Sequence, residues 1–245
     1  MRLWKSWLLA KKDITILKKR KSLMGGMVAF PLVIGIGLPA VVDYLFNKKS
    51  IPVSEAGNLL GAFGFFFIIF AVFLPLYVSS YSIVGEKVEK SIEPLLATPT
   101  SDEEILIGKY ISSFIPNILS IYLGTFIFMS LVDIFTFSKF NYYYYPNWTF
   151  VIVLVLSIPL AIMYSISFSV FVSSKVNSTQ TAYQLGALSM IPFLVLYVMG
   201  EIGLVNLNSE NNILVISAAL LAMAVAMFFL SRATFNREKI LTQWK

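Results

Sequence analysis

The chain has 245 residues, of which 58% are hydrophobic, 15% aromatic and only 13% charged, against about 25% charged in a soluble domain. So few charges cannot cover a water-soluble fold of this size, and the apolar residues gather in runs of about 20, enough to cross the ~30 Å hydrocarbon core as helices. This excludes a soluble enzyme, a disordered chain and a collagen-like fibre, and predicts an all-α polytopic membrane protein.

Cysteine and histidine are both absent, which removes thiolate metal sites and the commonest metal ligand and general base. No metal site is expected. Eight of the 19 Lys and Arg lie in the first 21 residues. The net charge of +6 therefore points to a membrane surface rather than to nucleic acid.

Residues 1–23 form the first unit, an amphipathic cytoplasmic interfacial helix. Leu3, Trp7, Ala10, Ile14 and Leu17 recur on one narrow face, with Lys5, Lys11, Lys12, Lys18 and Lys19 outside it. Such a helix lies in the headgroup region through Leu3, Trp4, Trp7, Ile14 and Leu17. It serves either as a positive-inside anchor or as a connecting helix braced on a cytoplasmic partner.

The second unit, residues 24–230, is a six-helix transmembrane domain. Its spans are expected at about 24–46, 57–84, 105–132, 150–172, 182–205 and 213–230, with a loop at 85–104 and a cytoplasmic tail at 231–245. The runs are too long for strands and lack period-2 alternation. In lipid only a helix satisfies its own backbone. Sixteen of the 19 cations fall on one side, against Lys48, Lys49 and Lys139 on the other. Both termini are therefore expected in the cytoplasm.

Within the spans, Pro31, Pro39, Pro75, Pro116, Pro159 and Pro192 are candidate kink sites. Small residues repeat every fourth position: Ser157, Ala161, Ser165, Ser169 and Ser173, then Ala218, Ala222 and Ala226. Ser112, Pro116, Ser120 and Gly124 make a shorter stripe. Such stripes let helices approach closely where lipid offers no hydrophobic gain. Phe63, Phe66, Phe67, Phe70 and Phe73 share a broad face that either meets lipid or lines a cavity for an apolar substrate. Phe63, Phe66, Phe70 and Glu201 are the candidate translocation path. Asp43, Asp133 and Glu201 lie near outer span ends, and glycines around Glu201 allow the chain to turn back. The outer stretch from Phe135 to Phe150, rich in Phe, Tyr and Trp, is expected to form an interfacial aromatic belt or a lid over an exit path.

The loop at 85–104 is the most specific stretch. Val88, Ile92, Leu95 and Leu96 have the spacing of a short helix that lays one apolar face in a groove. Pro94 starts or kinks that helix, Pro99 ends it, and Ser101 with Glu104 forms a capping-box pattern that launches span three. Six acids stand here against two lysines, which suits a basic protein surface better than an anionic membrane.

At these residues the chain resembles the permease subunits of ABC transporters of the type-2 exporter family. That family's loop reads E-[RK]-E-x-G-T-x-E-x-L-L-x-T-P, followed by Ser or Thr, an acid, apolar positions and G-K. Matching residues are Glu86, Lys87, Glu93, Leu95, Leu96, Thr98, Pro99, Ser101, Glu104, Gly108 and Lys109, with Glu89 one place after the pattern's second acid, where Val88 stands. Lys90-Ser91 replaces the Gly-Thr pair, and Pro94 is an addition.

The resemblance implies a coupling helix, carried by Glu86, Val88, Glu89, Ile92, Glu93, Leu95, Leu96, Thr98 and Pro99, through which an ATPase dimer drives the membrane part. The chain has no G-x-x-x-x-G-K-[ST] phosphate loop. It is then the non-catalytic subunit and binds no cofactor itself, with ATP and Mg held by a separate ATPase subunit. A second permease copy or paralogue completes the pathway, in the plasma membrane of a prokaryote. The implied function is export by alternating access. An ion-coupled secondary transporter is the alternative reading, but it needs an ionisable group near the bilayer midplane. A non-transporting membrane scaffold is the other.

Overall fold

The computed structural model describes residues 3–48, 53–80, 84, 100–176 and 178–234. Among them every regular element is helical. In chain order these are α1 (Leu3–Lys19), α2 (Lys21–Lys48), α3 (Val53–Ser80), α4 (Asp102–Phe140) and α5 (Trp148–Ile152). A π turn (Val153–Ser157) leads into α6 (Ile158–Lys175), then come α7 (Thr179–Ala187), a 3-10 turn (Leu188–Met190), α8 (Ile191–Glu201) and α9 (Glu210–Thr234). Six helical stretches are long and apolar enough to cross a membrane. Five of them start two or three residues before the apolar runs do, because polar turns extend them into the interface, and the second starts at Gly57 as expected.

The six are not equal. In α3, 78% of the most apolar 18-residue window is buried, against 28% in α2 and 22% in the stretch from Thr179 to Glu201. The phenylalanines explain the difference. Phe65 and Phe67 are fully buried, and Phe63 and Phe70 nearly so. The lipid-facing reading of this face is therefore overturned: α3 is the hub on which α4, α6 and α8 pack.

The serine stripe of the fourth span behaves as expected. Ser157, Ala161, Ser165, Ser169 and Ser173 are all fully buried. Ser165 donates to the Val72 carbonyl in the turn before Pro75, Ser169 pairs with Ser80 at 3.1 Å, and Ser157 pairs with Ser217 at 2.7 Å. Close approach and hydrogen bonds here replace the missing hydrophobic drive. The Ser112 to Gly124 stripe also packs, and Gly124 meets Pro31 and Gly35 of α2 so closely that a Cβ on either glycine would overlap backbone.

The alanine stripe is a correction. Ala218, Ala222 and Ala226 all face outward. The packed face of α9 carries Ile213, Ser217, Leu220 and Ala224 instead. Larger side chains fill the gap to α6, whose own serines already supply the close approach.

The prolines divide into two groups. Pro31, Pro39, Pro75 and Pro116 sit inside continuous helices. Pro159 and Pro192 stand in the first turns of α6 and α8, directly after the π turn and the 3-10 turn. A proline withholds one N–H from the turn before it, and in both places that turn departs from α geometry.

The tyrosine-rich connection splits between two roles. Tyr142, Tyr143 and Trp148 are exposed, as a belt requires, whereas Tyr145 is buried. Asp133 Oδ1 accepts the backbone N–H of both Tyr144 and Tyr145 at 2.9 Å. Tyr145 donates to the Leu60 carbonyl at 3.0 Å, and Tyr144 donates to Gly57 and to Asn208. Burial pushes the Tyr144 phenol up to about 12, with the Asn208 hydrogen bond acting against it. Burial raises Tyr145 well above its ordinary value, helped by the neighbouring Tyr144 and Asp133. These two tyrosines are fasteners, not belt residues. At the end of α8, Gly203 takes φ +78° and the Leu204 N–H returns to the Met199 carbonyl at 2.9 Å. The expected turn beside Glu201 is thus a glycine C-cap.

Candidate functional site

The coupling residues Glu86, Val88, Glu89, Ile92, Glu93, Leu95, Leu96, Thr98 and Pro99 lie outside the described residues. The structure defines what flanks them. On one side Val84 is fully buried in a cluster with Val172 of α6 and Ala182 of α7. On the other, α4 starts at a complete capping box: Glu104 N–H donates to Ser101 Oγ at 3.2 Å and Ser101 N–H to the Glu104 carboxylate at 3.1 Å. The pattern expected from Ser101 and Glu104 is present, and three acids in the first turn suit the positive end of the helix dipole.

One turn further, three consecutive residues tie α4 to three other helices. A Cβ at Gly108 would lie 3.0 Å from the Ser6 carbonyl and 2.9 Å from Leu9 Cβ, so glycine lets α1 press directly on α4. Lys109 Nζ meets Asp13 of α1 at 3.4 Å, with the two side chains only 5% and 14% exposed. Tyr110 donates to Ser167 of α6 at 2.8 Å and shares a hydrogen bond with Ser231 of α9 at 2.9 Å. Glu103 adds an exposed ion pair to Arg232 of α9, which contributes little by itself. A buried pair differs. Removing one partner leaves a charge that burial penalises by several kcal/mol.

Gly108 and Lys109 are the G-K of the loop pattern. Asp13 and Tyr110 escaped sequence reasoning. Asp13 did leave a signal, as the lone acid of the basic arm.

The face of α1 is rotated from expectation. Ser6, Ala10 and Leu17 are buried against the domain and Ile14 is half-buried, whereas Trp4 and Trp7 are exposed. The side chain of Leu3 lies outside the described residues. The supposed single apolar stripe is therefore two faces: one docks on α4 and the other carries the tryptophans. Polar Ser6 and Asp13 on the docking face displaced the hydrophobic periodicity from its true position.

The candidate path residues are brought together only in part. Seven rings run in unbroken contact along α3: Tyr77–Tyr183, Tyr183–Phe73, Phe73–Phe30, Phe30–Phe70, Phe70–Phe66 and Phe66–Tyr197, with centroids 5.2–6.1 Å apart. Tyr197 stands one turn before Glu201 on α8. Phe66 and Phe70 thus belong to one feature that joins α2, α3, α7 and α8, with Glu201 one turn beyond its last ring. Phe63 points into the core instead.

Six apolar helices, an N-terminal helix docked on them and a helical core held by aromatic and serine contacts define a multi-pass membrane protein. The model of the ABC-2 family transporter proteins matches residues 7–214, so the chain belongs to that family and is an ABC-2 type permease. No curated protein matches it.

Proposed function

We propose that the chain is the membrane-spanning subunit of an ATP-driven exporter, with both termini in the cytoplasm of a prokaryote and residues 85–104 as its coupling loop. A separate ABC ATPase, present twice, would bind ATP and Mg and dock on the apolar face of Val88, Ile92, Leu95 and Leu96. A second permease copy or paralogue would complete the pathway. The domain division at residues 23 and 230 belongs to the same proposal.

The observation that carries this reading is how the loop is moored. It leaves the domain at buried Val84 and re-enters it at Gly108-Lys109-Tyr110, whose contacts spread to α1, α6 and α9. A push on the loop would move these elements together. The ring ladder, built of dispersive contacts, would re-pack as they move and so open one end of the path. Phe66, Phe70 and Glu201 would line it.

Ile92→Asp combined with Leu95→Asp should abolish co-purification of the ATPase while the permease still inserts in the membrane. Undiminished co-purification would contradict the coupling assignment.

A further inference from the structure

A cavity of about 320 Å³ opens between α1, α2 and α4. It is independent of the proposed path. α2 and α4 approach backbone to backbone at Gly35 and Gly124, and the space lies on the α1 side of that crossing, where Ile14, Leu17 and Lys18 line it. Met27 and Ile115 line the interior. Among the described lining residues only Lys18 and Ser120 are polar. Leu119 and Leu123 form the lip, 63% and 47% exposed, and on a membrane-spanning helix such exposure faces lipid.

The volume is within the usual range for ligand pockets, but its form and charge are those of a lipid site. The apolar wedge runs along two spanning helices. A lysine stands at its surface end, with Lys19 and Lys21 exposed beside it. The nearby acid of α1, Asp13, is turned toward α4 and paired with Lys109, so it does not cancel Lys18. Basic pockets between spanning helices suit anionic headgroups.

We propose that this wedge holds one acyl chain of an anionic membrane lipid, its phosphate against Lys18. A zwitterionic lipid satisfies the wedge but not the charge, and a soluble phosphate satisfies the charge but not the wedge. A bound lipid would clamp α1 to α2 and α4 beside the Lys109–Asp13 joint.

The test is native mass spectrometry of the full chain in mild detergent. It is titrated with phosphatidylglycerol, with phosphatidylcholine of the same chain length, and with inorganic phosphate. The wild-type protein should retain one phosphatidylglycerol in preference to the other two. Lys18→Gln should lower that preference about fivefold, the effect of one lysine near a membrane surface, whereas Lys175→Gln should leave it unchanged. Leu119→Trp, a substitution on the lip, should fill the wedge and reduce lipid retention. Equal retention of the two lipids, an unaltered preference in Lys18→Gln, or an equal loss in Lys175→Gln would overturn the proposal.

Discussion

α3 and α4 are neighbours that hold their places by different physics. α3 is the more buried, with 78% of its most apolar window inside against 33% for α4. Hydrogen bonds from Ser165, Ser169, Tyr144 and Tyr145 reach it, but toward α2, α7 and α8 it presents the ring ladder, a set of aromatic contacts. α4 is the more exposed, yet it is jointed along its length. Its cap is closed by Ser101 and Glu104, Lys109 meets Asp13, and Tyr110 meets Ser167 and Ser231. Further along, Tyr122 donates to the Leu154 carbonyl at 2.8 Å, Gly124 lies on Pro31, and Asp133 holds the tyrosine turn. Packing without directional bonds admits alternative arrangements of similar energy; directional joints do not. α4 is therefore suited to carry displacement and the ring ladder of α3 to accommodate it.

Five substitutions test this contrast. Lys109→Ala should have the largest effect, costing about 3–5 kcal/mol because the largely buried Asp13 loses the Lys109 cation that meets it. Thermal unfolding in detergent reads it, and Asp13→Asn in the same background should recover part of the loss. Gly124→Val should cost about 1–3 kcal/mol through overlap with α2, seen as a lower unfolding midpoint.

The tyrosine turn gives a pH signature. Tyr144 holds its proton to about pH 12 when folded, whereas a solvated phenol releases it near pH 10. Between those values the unfolded state binds fewer protons, so stability falls as pH rises above about 10. Tyr144→Phe should flatten that decline.

Phe67→Leu, within the packed face of α3, should cost about 1–2 kcal/mol, because part of a buried ring's volume is left empty. A loss as large as that of Lys109→Ala would mean that α3 is as specifically held as α4. Ala222→Leu should change stability by less than about 0.5 kcal/mol, the usual limit for outward-facing sites.

Much of the architecture was readable from the chain, because hydrophobic runs and the Ser101–Glu104 cap are local signals. The serine stripe of α6 was readable too, since small polar residues in a span have few uses other than close packing. What escaped depends on the partner surface. Alanine at every fourth position of α9 has the form of a packing stripe, yet α6 takes Ile213, Leu220 and Ala224 instead. The phenylalanines of α3 have the form of a lipid face, but composition cannot tell protein interior from bilayer when both are apolar. On α1 the docking seam includes Ser6 and Asp13, which a hydrophobic pattern passes over. Asp13 matters only because Lys109, distant in sequence, comes to meet it.

The most direct test of the division between a jointed α4 and the yielding ring ladder of α3 is a pair of distances. With no native cysteine in the chain, Leu8 of α1 and Leu119 of α4 can be replaced by cysteine and spin-labelled, and separately Tyr77 of α3 and Leu185 of α7. Both pairs would be measured by pulsed electron resonance in the assembled transporter, before and after trapping the ATPase in its ATP-bound state. We expect the Leu8–Leu119 distance to stay constant while the Tyr77–Leu185 distance changes. A shift between α1 and α4 as large as that between α3 and α7 would contradict it.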